Sequence, residues 1–168
     1  MSIVRFYANN TQTNPGTGGD IYDLDETIGT PGNLSNNNSS TSFALNLAWQ
    51  QTVDTTVSDS SFDISVNVSS IGGTAEYRFR IARVDSSNVV QAASAYGSTY
   101  STTGVKTETL TLSTTWNSGD RLRLEMETRR SGGHGNVSVG ISVGNTSTYV
   151  DADITPPAAY DGRFFLMF

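Results

Sequence analysis

The single histidine, His134, is the first residue to test for chemistry, because a neutral imidazole can serve as general base, proton shuttle or metal ligand. It stands in the run Ser131-Gly132-Gly133-His134-Gly135-Asn136. A base that activates a nucleophile has to be held by packed neighbours and oriented by a third group, and a glycine-rich turn gives little such support. No Gly-x-Ser-x-Gly elbow accompanies it. His134 therefore reads as an exposed turn residue, and no catalytic residue is assigned. The chain has no cysteine, so thiol catalysis, thiolate metal sites and disulfides are unavailable.

Carboxylates offer two further candidates. Asp20, Asp23, Asp25 and Glu26 could gather oxygen ligands for calcium, which takes about six to eight of them. The spacing is not that of an EF-hand, since Gly29 is misplaced for that loop and no glutamate closes it. The group reads as a solvated acidic loop, with no metal and no cofactor expected. Asp151 and Asp153 are two apart, so on a strand both point to one face. General acid/base work needs an opposed pair across a cleft, and an outward polar face is the simpler reading.

Arg121 and Arg123 alternate with Glu125 and Glu127, and Glu76 alternates with Arg78 and Arg80. Opposite charges facing each other across strands contribute roughly 0.2–1 kcal/mol, so the expectation is a solvated ladder that also discourages wrong edge pairing. Among the aromatics, Trp116 precedes the turn Asn117-Ser118-Gly119-Asp120, while Tyr96 and Tyr100 flank Gly97. Rings at strand ends are commonly half-buried, and exposed ones can stack on a glycan. Trp116, Tyr96 and Tyr100 are thus the residues of an alternative, carbohydrate-binding reading.

These residues sit in strand grammar. From Phe43 onward, apolar side chains recur at every second position. The inward sets are Phe62, Ile64, Val66 and Val68; then Ala75, Tyr77, Phe79 and Ile81; then Leu110 and Leu112. They continue as Leu122, Leu124 and Met126, then Val137, Val139, Ile141 and Val143, and last Val150, Ala152 and Ile154. Gly72-Gly73, Asp85-Ser86-Ser87-Asn88, Gly97, Gly104 and Gly144-Asn145 punctuate them. Short alternating strands at this spacing specify an all-β, antiparallel sandwich, with a strand count that suits a jelly roll. Residues 3–8 read as a short strand and 9–41 as an extended arm or long loop rich in turn formers. The expected organisation is 1–42 as strand and arm, 43–155 as sandwich and 156–168 as a C-terminal tail.

The 168-residue chain carries 16 acidic and 10 basic residues, a net charge of −6 that opposes binding to phosphate backbones, so no nucleic-acid partner is expected. The opening MSIVRFYANN lacks the long apolar run of a signal peptide, and no stretch is long enough to cross a bilayer as a helix. The expectation is synthesis in a host cytoplasm and no membrane. The end, however, is apolar: Phe164, Phe165, Leu166, Met167 and Phe168 hold three of the seven phenylalanines. Burying them would contribute ~1.5–3 kcal/mol each, on the order of 10 kcal/mol together before ordering costs. They are the expected partner-binding residues.

The run TTGVKTETLTLSTTWNSGDRLRLEMETRR, with its Thr-Thr-Gly-Val turn and Trp-x-x-Gly-Asp-Arg-Leu lead into a strand, resembles the small jelly-roll structural proteins of tailed bacteriophages, in particular capsid decoration or cement proteins. The likeness spans about residues 43–155 and extends loosely to the RF strand at the start. It implies a virion protein on the capsid surface, a homotrimer that clamps major capsid protein subunits, with no catalytic residues. The same Gly-Asp-x-Leu lead occurs in carbohydrate-binding jelly rolls, so a glycan-binding module or the receptor-binding head of a fibre is the alternative.

Overall fold

A computed structural model describes residues 2–14, 20–51, 60–117 and 119–154. The chain is all-β. Its strands are β1 (Ser2–Asn14), β2 (Asp20–Asp25), β3 (Gly32–Asn38), β4 (Ala44–Gln51), β5 (Ser61–Gly72), β6 (Ala75–Val84), β7 (Val90–Ala93), β8 (Gly104–Thr111), β9 (Arg121–Arg130), β10 (Val137–Val143) and β11 (Tyr149–Ile154). They hydrogen-bond in the order β3-β10-β5-β11-β1-β2-β4-β9-β6-β7, with β8 on the remaining edge of β5. Every pairing is antiparallel except that of β2 with β4.

This path curls so that β10 faces β6 and β9 across the interior, giving the sandwich-like form that the period-two pattern implied. The alternating positions meet in one core: Phe62, Ile64, Val66 and Val68 from β5, Val139 and Ile141 from β10, Tyr77, Phe79 and Ile81 from β6, and Leu122, Leu124 and Met126 from β9. Trp49 of β4 and Phe6 of β1 complete it. Ile154 belongs to the expected set, but its side chain lies outside the described residues.

The N-terminal arm is corrected. Residues 9–14, 20–25 and 32–38, expected as arm or loop, lie in strands, and β1 to β3 are integral to the sheet. The sandwich therefore begins with Ser2 and not near residue 43. Amide side chains explain why β3, GNLSNNN, holds without an apolar repeat. Asn36 Nδ2 donates to the Asn46 carbonyl at 3.1 Å and Asn38 Nδ2 to the Thr128 carbonyl at 2.7 Å, lacing β3 to β4 and β9 across one side of the sandwich. On its other edge β3 has a seven-residue ladder with β10, from Gly32 opposite Val143 to Asn38 opposite Val137.

One glycine is fixed by crowding as well as by its backbone. Gly144, just past β10, has φ +65°, and any Cβ there would collide with the Thr30 carbonyl of a crossing loop. Its N–H donates to the Ala8 carbonyl at 2.8 Å, so this crossing also ties β1 down.

Candidate interaction surfaces

The charged strands β6 and β9 pair in a register that sets Glu76 opposite Arg129, Arg78 opposite Glu127 and Arg80 opposite Glu125. All three form ion pairs, with Arg78 at 2.7 Å from Glu127 and Arg80 at 2.6 Å from Glu125. The sequence predicts this ladder as solvated, and half of it is not. The side chain of Glu125 is 1% exposed and that of Arg123 is 5% exposed. Gln50 from β4 and the Asn88 turn lie over them: Arg123 donates to Gln50 Oε1 at 2.8 Å and to the Asn88 carbonyl at 3.3 Å, and Gln50 donates to Asn88 Oδ1 at 2.6 Å. Burial pulls the Arg123 guanidinium below its ordinary pKa, against the pull of Glu125.

Aromatic rings cover the rest of the stripe. The Arg78 guanidinium lies between Phe43, at 4.0 Å from the ring centroid, and Tyr96, at 3.8 Å. Arg80 also approaches Tyr96, at 4.7 Å. Cation–π contacts of this kind are worth ~0.5–2 kcal/mol as they lose water. Tyr96 is therefore engaged on the charged stripe, and burial, then Glu127, holds its phenol above the ordinary pKa. The stripe is a structural seam in which four arginines share three glutamates, with Glu125 bridging Arg80 and Arg123.

The other two stacking candidates are likewise in contact. Tyr100 stacks on buried Tyr77 with centroids 5.6 Å apart, and burial followed by the Glu108 carboxylate pushes its pKa up to about 12. Trp116 packs edge-on against Phe62 at 6.2 Å, beside the core. The three rings thus rest on different partners and are all half-buried.

A groove opens where the two layers part. After β7 the chain follows the edge of β6 through bonds from Ser94 N to the Ile81 carbonyl and from Gly97 N to the Phe79 carbonyl, each 2.9 Å. Across from it runs β8, which among the described residues pairs with β5 alone. Glu108 bridges the gap, accepting from Ser98 N at 3.0 Å and lying so close to Gly97 that a Cβ there would strike its carboxylate. Between them is a groove of about 500 Å³, lined by Ala95, Tyr96, Gly97, Ser98, Glu108, Thr109, Leu110 and Thr111. No sequence signal marks it, because it exists only once the strand order leaves β8 on an edge.

The remaining candidates separate. His134 is exposed in its turn. Asp151 makes a two-pronged pair with Arg5, at 2.7 Å on each oxygen, and Arg5 lies 3.7 Å over the Tyr149 ring. Asp153 follows two residues on, on the same strand. Asp25 closes the turn after β2 by accepting from Thr27 N at 2.9 Å. Asp23 has one buried oxygen without a hydrogen-bond partner among the described residues, and burial followed by Asp25 raises its pKa. Glu26 is exposed, and Asp20 opens β2, its side chain lying outside the described residues. Among the described residues no group of three His, Cys, Asp or Glu could hold a metal ion. No helix there is long and apolar enough to cross a membrane. The tail residues Phe164, Phe165, Leu166, Met167 and Phe168 also lie outside the described residues.

No protein-family model matches the sequence, and no curated protein matches it. Among solved structures, the fold is similar to two crystal structures of a CocE/NonD family hydrolase from Staphylococcus aureus. One aligns with a TM-score of 0.60 at 11% identity and the other with 0.58 at 12% identity. Each alignment covers 92% of this chain but only 36% or 37% of the hydrolase, so the chain spans little more than a third of that enzyme's length. At such identity the likeness is one of fold alone.

Proposed function

We propose that the protein works by attachment and turns over no substrate: a structural protein on the outside of a phage capsid that clamps major capsid protein subunits, as a homotrimer. The observation supporting attachment is where the reactive side chains have gone. Glu125, Glu127 and Asp151 are each paired with an arginine, and His134 is exposed on a glycine turn. Meanwhile the outer surface of β8, β5, β11 and β1 presents hydroxyls, exposed Asp63 and the Arg5–Asp151 ion pair together with two bare apolar side chains, Ile3 at 75% and Val105 at 53% exposure. A surface built this way offers contact area, and among the described residues no group of three His, Cys, Asp or Glu could hold a metal ion. The hydrolase among the structural neighbours brings no expectation of turnover, since the resemblance is at the level of fold.

In this reading Phe164, Phe165, Leu166, Met167 and Phe168 supply the main apolar contact, with the shell or a sister subunit. Deleting residues 161–168 should abolish shell binding or trimerisation while leaving the circular-dichroism spectrum and a cooperative melt intact. Full occupancy of capsids by the truncated protein would refute it. A glycan-binding role is the second reading, favoured by the groove's combination of Tyr96, Ser98, Glu108 and Thr109. That role predicts signal on a glycan array, lost in Tyr96→Ala and weakened in Tyr100→Ala or Trp116→Ala, whereas the attachment role predicts none.

A further inference from the structure

β8 has one complete ladder and one bare edge. Its pairing with β5 runs without a register shift from Ser61 opposite Thr111 to Val68 opposite Gly104, and the bond from Leu112 N to the Ser60 carbonyl, 2.9 Å, continues it. Residues bonded to a given neighbour alternate along an antiparallel strand. The main-chain groups of Lys106, Glu108 and Leu110 therefore point to β5, and those of Val105, Thr107, Thr109 and Thr111 point away from it. Among the described residues no backbone hydrogen bond meets this second set. Their side chains are exposed, with Val105 at 53%, while those of Lys106 and Glu108 are half-buried on the opposite face. A run of β-branched residues whose main-chain groups are open is a template for an added strand.

We propose that the added strand is β8 of a second copy of this chain, paired antiparallel about a two-fold axis at Thr107. Charge selects both the partner and the register. In a self-paired strand each residue stands opposite the one equally far beyond the axis. An axis at Lys106 would bring two ammonium groups face to face, and an axis at Glu108 would do the same to two carboxylates. With the axis between them, at Thr107, Lys106 stands opposite the partner's Glu108, and Glu108 opposite the partner's Lys106. Both pairs fall at the closely spaced positions of the new ladder, where Cα atoms are ~4.5 Å apart. Opposite charges placed so attract, and like charges repel. Inward-pointing charges usually guard an edge; here they guard it against the two adjacent registers and favour the one between.

The other pairs of that register suit it. On the outer face Thr107 meets its own copy and Val105 meets the partner's Thr109, so β-branched side chains pack across the seam and cover the bare valine. On the inner face Lys106 Nζ already donates to Thr102 Oγ1 at 2.9 Å and to the Thr103 carbonyl at 3.0 Å, and Glu108 accepts from Ser98 N at 3.0 Å. An ammonium has a third donor and a carboxylate further lone pairs, so each can keep these bonds and still reach across. The contact needs only two copies of this chain and is independent of the capsid reading; in a trimer it would join one trimer to the next.

Sedimentation equilibrium of the full chain tests the contact. An edge pairing of this size belongs with the small, weak interfaces, so the mass should at least double with concentration, with a dissociation constant of ~10 μM to ~1 mM. Lys106→Glu and Glu108→Lys each set like charges opposite one another and should each weaken this association at least tenfold. An equimolar mixture of the two should restore it, because each variant supplies the charge the other lacks. Thr107→Pro removes an N–H that β5 does not use, so it should block association and keep a cooperative melt. A mass that stays constant to about 1 mM would overturn the proposal. So would a rise that persists unchanged in both charge variants, which would belong to another surface, or a mixture that stays apart although each variant melts like the natural chain.

Discussion

Replacing Glu125 by alanine is the sharpest perturbation of the charged stripe. Its Oε2 accepts from Arg80 at 2.6 Å and its Oε1 from Arg123 at 3.4 Å. Arg80 keeps 27% of its side chain exposed and can turn to water, but Arg123 keeps 5%. Without Glu125, the other bonds of Arg123 go to the neutral Gln50 side chain and Asn88 carbonyl. Removing one partner of a buried pair costs about 3–5 kcal/mol, because the other charge stays desolvated and uncompensated. That is a large share of the ~5–15 kcal/mol by which domains are stable. Glu125→Gln keeps the shape and an acceptor and should cost less, while the pair Arg123→Met with Glu125→Leu, which removes both charges, should come within ~1.5 kcal/mol of the natural chain. Urea unfolding followed by the fluorescence of buried Trp49 measures each, with an unchanged slope as the control. A cost below ~1 kcal/mol for Glu125→Ala, the value of a surface pair, would mean that water reaches the stripe and that the burial argument is wrong.

Gly144→Ala should lower stability by roughly 1–3 kcal/mol or more, since it combines a positive φ with a collision at the Thr30 carbonyl; an unchanged melting temperature would refute the crossing. Tyr77→Phe should cost about 0.5–1.5 kcal/mol in the same urea assay, because it removes the hydrogen bond that the Tyr77 hydroxyl donates to the Thr102 carbonyl at 2.6 Å. Asp23 has a raised pKa, so the stability its protonated form contributes is full below the ordinary carboxylate pKa and is lost as pH rises through the higher folded value. Asp23→Asn mimics the protonated form and should be more stable than the natural chain at neutral pH, with the advantage gone by about pH 3. A gap that stays constant with pH would count against this account.

The sequence displayed the strands whose inner face is aliphatic. β5, β6, β9 and β10 alternate so cleanly that Phe62 to Val68, Ala75 to Ile81, Leu122 to Met126 and Val137 to Val143 are all buried where the period places them. It concealed strands held by other means. β3 has Leu34 as its one apolar side chain and depends on asparagine amides bonding across the layers, a contact that no local pattern records. In β2 the register with β1 shifts, so Ile21 and Leu24 do not fall two apart. The charged ladder was legible as a ladder, but its cover was not, because Gln50 and Asn88 arrive from distant parts of the chain. The β8 groove was invisible for a related reason: which strand stands at an edge is a property of the whole topology.

The pairing of β1 with β11, Ser2 opposite Ile154, sets the order in which this molecule can be made. A ribosome adding ~5–20 residues per second needs about 7–28 s to travel from the end of β1 to the end of β11. Throughout that interval β1 lacks its final neighbour and the layer joining β5 to β2 cannot close. The nascent chain is thus obliged to remain an open half-sandwich until β11 has been synthesised, so chaperone capture and misassembly have their opportunity in that interval. The same adjacency makes the molecule a natural subject for circular permutation: a short linker across β1 and β11, with new ends cut in the exposed His134 turn, would remove that wait and should shorten the folding time without altering the sheet.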